Sequence, residues 1–169
     1  MAPAGEKHDH AALMDSIYRG QKYIYDVTRK YYLFGRDDLI RGLECEAGDA
    51  VLEIACGTGR NLAKVQQAYP GTKLFGIDIS AEMLKSAAGK LGTSAILAPA
   101  DARQFDARAM LGRPTFERVI LSYSVSMIPD WERAMRHAAT LVAPVGSLHV
   151  VDFGSYSARD TLGARILKW

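Results

Sequence analysis

The chain has 169 residues, a formal net charge of +2, 49% hydrophobic and 24% charged residues, which fits one domain burying roughly two-thirds of the surface of its unfolded chain. The small, scattered positive charge argues against a nucleic-acid partner. Two lone cysteines, Cys45 and Cys56, support neither a disulfide framework nor a zinc site, no apolar run approaches the roughly 20 residues of a membrane span, and MAPAGEKHDH lacks a signal-peptide core; the expected location is cytoplasmic.

Residues 1–10 read as a flexible polar tail, with no role assigned to His8 and His10. Residues 11–44 read as a helical cap. Tyr18, Tyr25 and Tyr32 recur every seven residues, as do Ile17, Ile24 and Tyr31, so each set shares one drifting helical stripe. Arg19, Lys22, Arg29 and Lys30 are mixed among them, and Phe34-Gly35-Arg36 breaks the pattern. Asp37 then caps a short helix carrying Leu39, Ile40 and Leu43. The stripe has two readings: packing against the sheet's helices, or a roof of rings over a cationic group, where each cation–π contact contributes roughly 0.5–2 kcal/mol.

From residue 45 to 169 short apolar runs alternate with helical patterns. AVLEIA (50–55), KLFGIDI (73–79), AILAPA (95–100), FERVILSYS (116–124) and SLHVVDF (147–153) read as strands. Helices are expected over 60–69, stopped by Pro70-Gly71; after the N-cap Ser80, with Met83, Leu84, Ala87, Ala88 and Leu91 on one face; from Pro129-Asp130 to Leu141, closed by Ala-Pro-Val-Gly at 143–146; and over 158–169. Strand–helix alternation predicts an α/β fold, a Rossmann-like parallel sheet with helices on both faces. In such sheets ligands sit at the carboxyl ends of the strands. His137 reads as a surface residue, His149 as buried in the fifth strand, and Cys56 as a small residue in a tight turn.

The first strand runs into Glu53-Ile-Ala55-Cys-Gly57-Thr-Gly59, and the second ends at Asp78. Two glycines let the backbone turn tightly at a helix N-terminus, and a carboxylate after the second strand suits the two hydroxyls of a ribose. A dinucleotide loop wants a third glycine where Leu62 stands. Glu53 would repel a pyrophosphate but tolerates positive charge. S-adenosylmethionine has a ribose, an adenine, a sulfonium and an ammonium, and no phosphate.

With Asp101-Ala102 and LSYSVSMIPD (121–130), these motifs resemble class I S-adenosylmethionine-dependent methyltransferases over residues 48–155. The resemblance implies that Glu53, Gly57 and Gly59 line the methionine portion of the cofactor, with Ala55 and Met83 in the same cofactor-binding set. It places Asp78 on the ribose, Ile79 against the adenine and Asp101 on its amino group, with Ala102 alongside. Ser122 and Tyr123 then face the sulfonium and the acceptor, and Asp152 ends the fifth strand beside them. Tyr123, Asp152, Tyr25 and Tyr32 are the catalytic candidates: Tyr123 and Asp152 to take a proton or orient the acceptor, Tyr25 and Tyr32 to close their rings over its positive charge.

A narrower resemblance covers IYDVTRKYYLFGRDDLI, GTGRNL, DISAEML, LSYSVSMIP and HVVDFG. These segments are similar to bacterial betaine-lipid methyltransferases, which act on the amino group of diacylglyceryl-homoserine. That resemblance implies a lipid headgroup amine as acceptor and peripheral contact with an anionic membrane at the inner face. A soluble small-molecule acceptor and a silent cofactor-binding protein stay open as alternatives. Class I sheets normally have seven strands and five are expected here, so completion by a partner subunit, as in a homodimer, is also open.

Overall fold

A computed structural model describes residues 35–152. The polar tail, the tyrosine stripe including Tyr25 and Tyr32, and the helix expected over 158–169 lie outside the described residues. Helix α1 (Arg36–Arg41) precedes β1 (Ala50–Ile54), α2 (Arg60–Ala68), β2 (Lys73–Asp78), α3 (Ala81–Leu91) and β3 (Ala95–Pro99). Then come α4 (Ala107–Leu111), β4 (Phe116–Ser122), α5 (Trp131–Thr140) and β5 (Val142–Val151). The strands form one parallel sheet in the order β3-β2-β1-β4-β5. The order turns back between β1 and β4, which places a crevice beyond their carboxyl ends.

Both faces of the sheet are covered, so the central strand shows no polar alternation: all five residues of β1 are buried. On one face Leu52, Ile54, Phe75, Ile77, Val119 and Leu121 pack with Ala107 and Leu111 of α4 and Ala134 and Ala138 of α5. On the other face Val51, Leu74 and Ile120 meet Leu62 and Val65 of α2, Leu84 and Leu91 of α3, and Ile40 of α1. Each of the Val, Leu, Ile and Phe side chains contributes about 1.5–3 kcal/mol when fully buried. The parallel sheet and its flanking helices are thus those expected from the alternation of elements. Among the described residues no helix is long and apolar enough to cross a membrane.

The caps explain where helices begin. Ser80 Oγ accepts from Met83 N–H at 3.3 Å, as its position before α3 predicts. Asp106 does the same for Ala109 at 3.0 Å, starting α4, a helix the sequence reading omits. Gly112, with φ 79°, ends it.

Four expectations need correction. Asp37 does not cap α1; Gly35 holds the cap position, and Asp37 sits in the first turn, paired with Lys64. The fourth strand stops at Ser122, because Tyr123 adopts a left-handed backbone with φ 52°. The Ala-Pro-Val-Gly segment does not close a helix before the fifth strand; it belongs to β5, which begins at Val142. There the pairing slips between Phe116↔Val142 and Arg118↔Ser147, and Gly146 permits the close passage, since a Cβ there would lie 2.7 Å from Glu117 O. His137 is half-buried rather than a surface residue, and its Nε2 accepts the Phe105 N–H at 3.2 Å.

Candidate functional site

The loop after β1 is built on left-handed residues: Ala55, Gly57 and Gly59 have φ of 56°, 55° and 70°. Such a backbone costs a non-glycine residue about 1–2 kcal/mol, so Ala55 carries strain that the two glycines avoid. The loop is anchored by Cys56 N–H to Ile77 O at 2.9 Å and Gly59 N–H to Cys56 O at 3.0 Å. The two glycines differ in kind. A Cβ on Gly59 would lie 2.9 Å from Leu91 Cδ1 and 3.0 Å from Ala87 Cβ, so this glycine lets α3 pack close. A Cβ on Gly57 would meet nothing within 4 Å, which is open space in front of the loop.

Asp78 ties this loop to the next. Its Oδ2 accepts the Gly57 N–H at 2.8 Å, and its Oδ1 accepts the Ser80 N–H at 2.9 Å. Its own carbonyl accepts from Ala100 N–H at 3.0 Å, so the carboxyl ends of β1, β2 and β3 converge on one residue. Charge-assisted bonds of this kind each contribute about 1.5–3 kcal/mol.

Beneath the loop, Glu53 is 2% exposed and its Oε1 accepts from Asn61 Nδ2 at 2.6 Å. The sequence does not point to Asn61, because a lone asparagine in Gly-Arg-Asn carries no signal. Leu62, at the third-glycine position of a dinucleotide loop, is fully buried in the core. Cys56 is buried beneath the loop and burial pushes its thiol well above its ordinary value, with Glu53 and Asp78 adding to the shift. It is therefore a protonated packing residue rather than a thiolate. Burial likewise raises Cys45 to about 11.

A cleft lies beside Asp78, lined by Ala55, Ile79, Ala102, Arg103, Ile128 and Pro129 among others. Its walls are mostly apolar and carboxylates stand at its edge. Asp101 lines it too, with its carboxylate gripped by the Arg103 fork: Nη2 to Oδ2 at 2.8 Å and Nε to Oδ1 at 3.0 Å. Arg103 N–H also reaches Asp101 Oδ1 at 2.9 Å, closing a turn. Met83, a predicted cofactor residue, is buried in the first turn of α3 and does not line this cleft.

The other end of the crevice follows β4 and β5. Tyr123 N–H donates to Val151 O at 2.7 Å, prolonging the ladder beyond Ser122. The buried guanidinium of Arg36 lies 5.7 Å from the Tyr123 ring centroid. Burial raises the Tyr123 phenol above its ordinary value of 10, opposed by Arg36. Asp152 reaches across to the turn after β4, accepting from Ser126 N–H at 3.1 Å and Ser126 Oγ–H at 2.9 Å. The hydroxyls of Ser122 and Ser124 are buried, with no hydrogen-bond partner among the described residues. Thus the structure brings Glu53, Ala55, Gly57, Gly59, Asp78, Ile79, Asp101 and Ala102 to one end of the sheet, with Ser122, Tyr123 and Asp152 at the ends of neighbouring strands. Among the described residues no group of three or more His, Cys, Asp or Glu could hold a metal ion. His149, in β5, is half-buried beside Ser147, with Oγ 2.7 Å from its Nε2.

Known proteins resemble this chain in sequence and in fold. The family described as methyltransferase domain matches residues 51–146. The chain is 27% identical over 154 residues to the ubiquinone/menaquinone biosynthesis C-methyltransferase UbiE of Klebsiella pneumoniae, covering 87% of this chain and 61% of that one. It is 26% identical over 113 residues to trans-aconitate 2-methyltransferase of Escherichia coli O1:K1, covering 67% and 42%. Among solved structures it is similar to S-adenosylmethionine-bound CalS10, an amino pentose methyltransferase from Micromonospora echinaspora, with a TM-score of 0.63 and 22% identity over 78% of this chain and 56% of that one. At that identity the likeness concerns the fold. The chain spans 42% to 61% of the length of these two curated relatives.

Proposed function

Since the chain belongs to the methyltransferase domain family, we propose that it transfers a methyl group from S-adenosylmethionine to an acceptor at the carboxyl end of its sheet. The observation that carries this reading is Asp78, whose carboxylate joins the glycine loop at Gly57 to the start of α3 through Ser80. A carboxylate has two acceptor oxygens, which suits the two hydroxyls of a ribose. The chain fits this cofactor on two further counts. A buried carboxylate, Glu53, lies under the loop where a pyrophosphate would be repelled, and Gly57 leaves open space before its backbone.

When bound, the cofactor supplies the electrophilic methyl group on its sulfonium. Gly57 would let the loop backbone approach its amino-acid end while Gly59 lets α3 pack against the loop, Ile79 and Ala102 would wall the base, and Asp101 would accept from its amino group. Tyr123 and Asp152, past the ends of β4 and β5, stand on the acceptor side. Orienting an acceptor in line with the methyl carbon can supply roughly 7–11 kcal/mol, which needs placement rather than new chemistry from the protein.

For the acceptor we favour a lipid headgroup amine, on the similarity of the tyrosine-rich stretch and GRDDLI to betaine-lipid methyltransferases, with contact to an anionic membrane face. A second reading, a small soluble acceptor, is supported by the similarity to trans-aconitate 2-methyltransferase. Incubating the protein with methyl-labelled S-adenosylmethionine and, separately, lipid and water-soluble cell extracts separates them: label in a headgroup amine supports the first, label in the soluble fraction alone the second. Co-sedimentation with anionic liposomes tests the membrane contact. Calorimetry tests the cofactor itself, with Asp78→Ala expected to weaken S-adenosylmethionine at least tenfold. Binding of NADH in its place would overturn the cofactor assignment.

A further inference from the structure

Asn61 lies in the first turn of α2, two residues beyond Gly59, and is 5% exposed. Its Nδ2 donates to Glu53 Oε1 at 2.6 Å. An ionised carboxylate only accepts hydrogen bonds, so this contact fixes the amide: nitrogen toward Glu53, oxygen turned away. That oxygen, Oδ1, is buried and has no hydrogen-bond partner among the described residues. A buried acceptor left unmade destabilises a fold, so one in the first helical turn after a glycine loop marks a place for a donor that arrives with a ligand.

Three features of opposite character meet there. The N-terminus of the nine-residue helix α2 presents backbone N–H groups and the positive end of its dipole. Gly57 leaves open space before the loop. The Asn61 oxygen, backed by the buried Glu53 carboxylate, is a negative pole a few residues away. A zwitterionic amino acid carries the complementary pair, a carboxylate for the amides and an ammonium for the oxygen. Resting on the S-adenosylmethionine reading above, we propose that Asn61 is a binding residue for the amino-acid end of that cofactor, its Oδ1 accepting an N–H from the ammonium. Glu53 is then a positioning residue: it acts through Asn61, fixing the amide's orientation and adding negative charge behind it.

Two probes isolate this contact by isothermal titration. S-adenosylhomocysteine has the amino-acid group, whereas 5′-methylthioadenosine keeps adenosine and thioether but lacks it. Asn61→Ala and the gentler Asn61→Ser should weaken S-adenosylhomocysteine about tenfold or more, as expected for a bond to a charged group. Both variants should bind 5′-methylthioadenosine within about twofold of the wild type, which also reports that they fold. Parallel weakening of both probes would reduce Asn61 to a structural support of the loop and overturn the proposal, as would unchanged S-adenosylhomocysteine binding. A wild-type protein that binds neither probe would instead sink the cofactor reading on which the proposal stands.

Discussion

The carboxylate of Asp152 accepts two hydrogen bonds from one residue, Ser126, taking its backbone N–H at 3.1 Å and its hydroxyl at 2.9 Å. The contact staples the end of β5 to the turn that follows β4. That turn begins at Tyr123, whose left-handed backbone costs about 1–3 kcal/mol unless its surroundings hold it. Asp152 thus has a placing role that needs no proton transfer.

The amide of Asp152→Asn can reproduce both contacts, accepting the Ser126 N–H and donating to its hydroxyl. Turnover on the labelled acceptor is expected to stay within about threefold for this variant. Asp152→Ala loses both bonds, at about 0.5–1.5 kcal/mol each, and should lower Tm by roughly 2–12 °C and turnover at least tenfold. If Asp152→Asn were as inactive as Asp152→Ala while keeping its Tm, Asp152 would be the proton acceptor itself.

The two loop glycines should fail differently. Gly59→Ala places a methyl 2.9 Å from Leu91 Cδ1 and 3.0 Å from Ala87 Cβ, in a left-handed backbone. Its cost falls on stability, about 2–5 kcal/mol from overpacking and strain together. Gly57→Ala meets open space, so its stability cost is the backbone strain alone, about 1–2 kcal/mol. Its methyl projects before the loop, and S-adenosylmethionine binding should fall at least tenfold. Urea unfolding and calorimetry on both variants check the pair; equal loss of affinity at equal stability would show that the glycines do not divide the work this way.

What was legible in the sequence follows from burial. β1 and β4 are covered on both faces, so they read as apolar runs, and the glycine loop with Asp78 stood out because turn chemistry and a strand-end acid coincide. Other features had local signals that single residues diluted. α4 is announced by Asp106 and Gly112, yet five residues carry little periodicity. The slip in β5 lies in a Pro-Val-Gly segment whose turn composition outweighs its strand pairing. Tyr123 gives no hint of its backbone, because tertiary contacts at Arg36 and Val151 impose it. Asn61 and the Arg103 fork on Asp101 are contacts between side chains, and no spacing rule anticipates which rotamers meet.

His137 gives the fold an acid-sensitive point near the Asp101 turn. Burial holds its imidazole below the ordinary value of 6.5, and Nε2 must be unprotonated to accept the Phe105 N–H. Phe105 also stacks edge-on against the ring, 4.9 Å between centroids, and follows directly on the Asp101–Gln104 turn. Burial lowers His149 too, with Arg118 contributing. A base whose folded value lies below its unfolded one binds fewer protons when folded. Its stabilising share is therefore complete above about pH 6.5 and is lost as pH falls from there through the folded value. Unfolding free energy measured by urea between about pH 8 and 5 should be flat at the top and decline below 6.5. In His137→Gln, whose amide oxygen can accept the same N–H without titrating, the decline should be shallower, His149 supplying what is left. An unchanged slope in that variant would mean that His137 does not couple to folding in this range, and the acid sensitivity would have to come from carboxylates at lower pH.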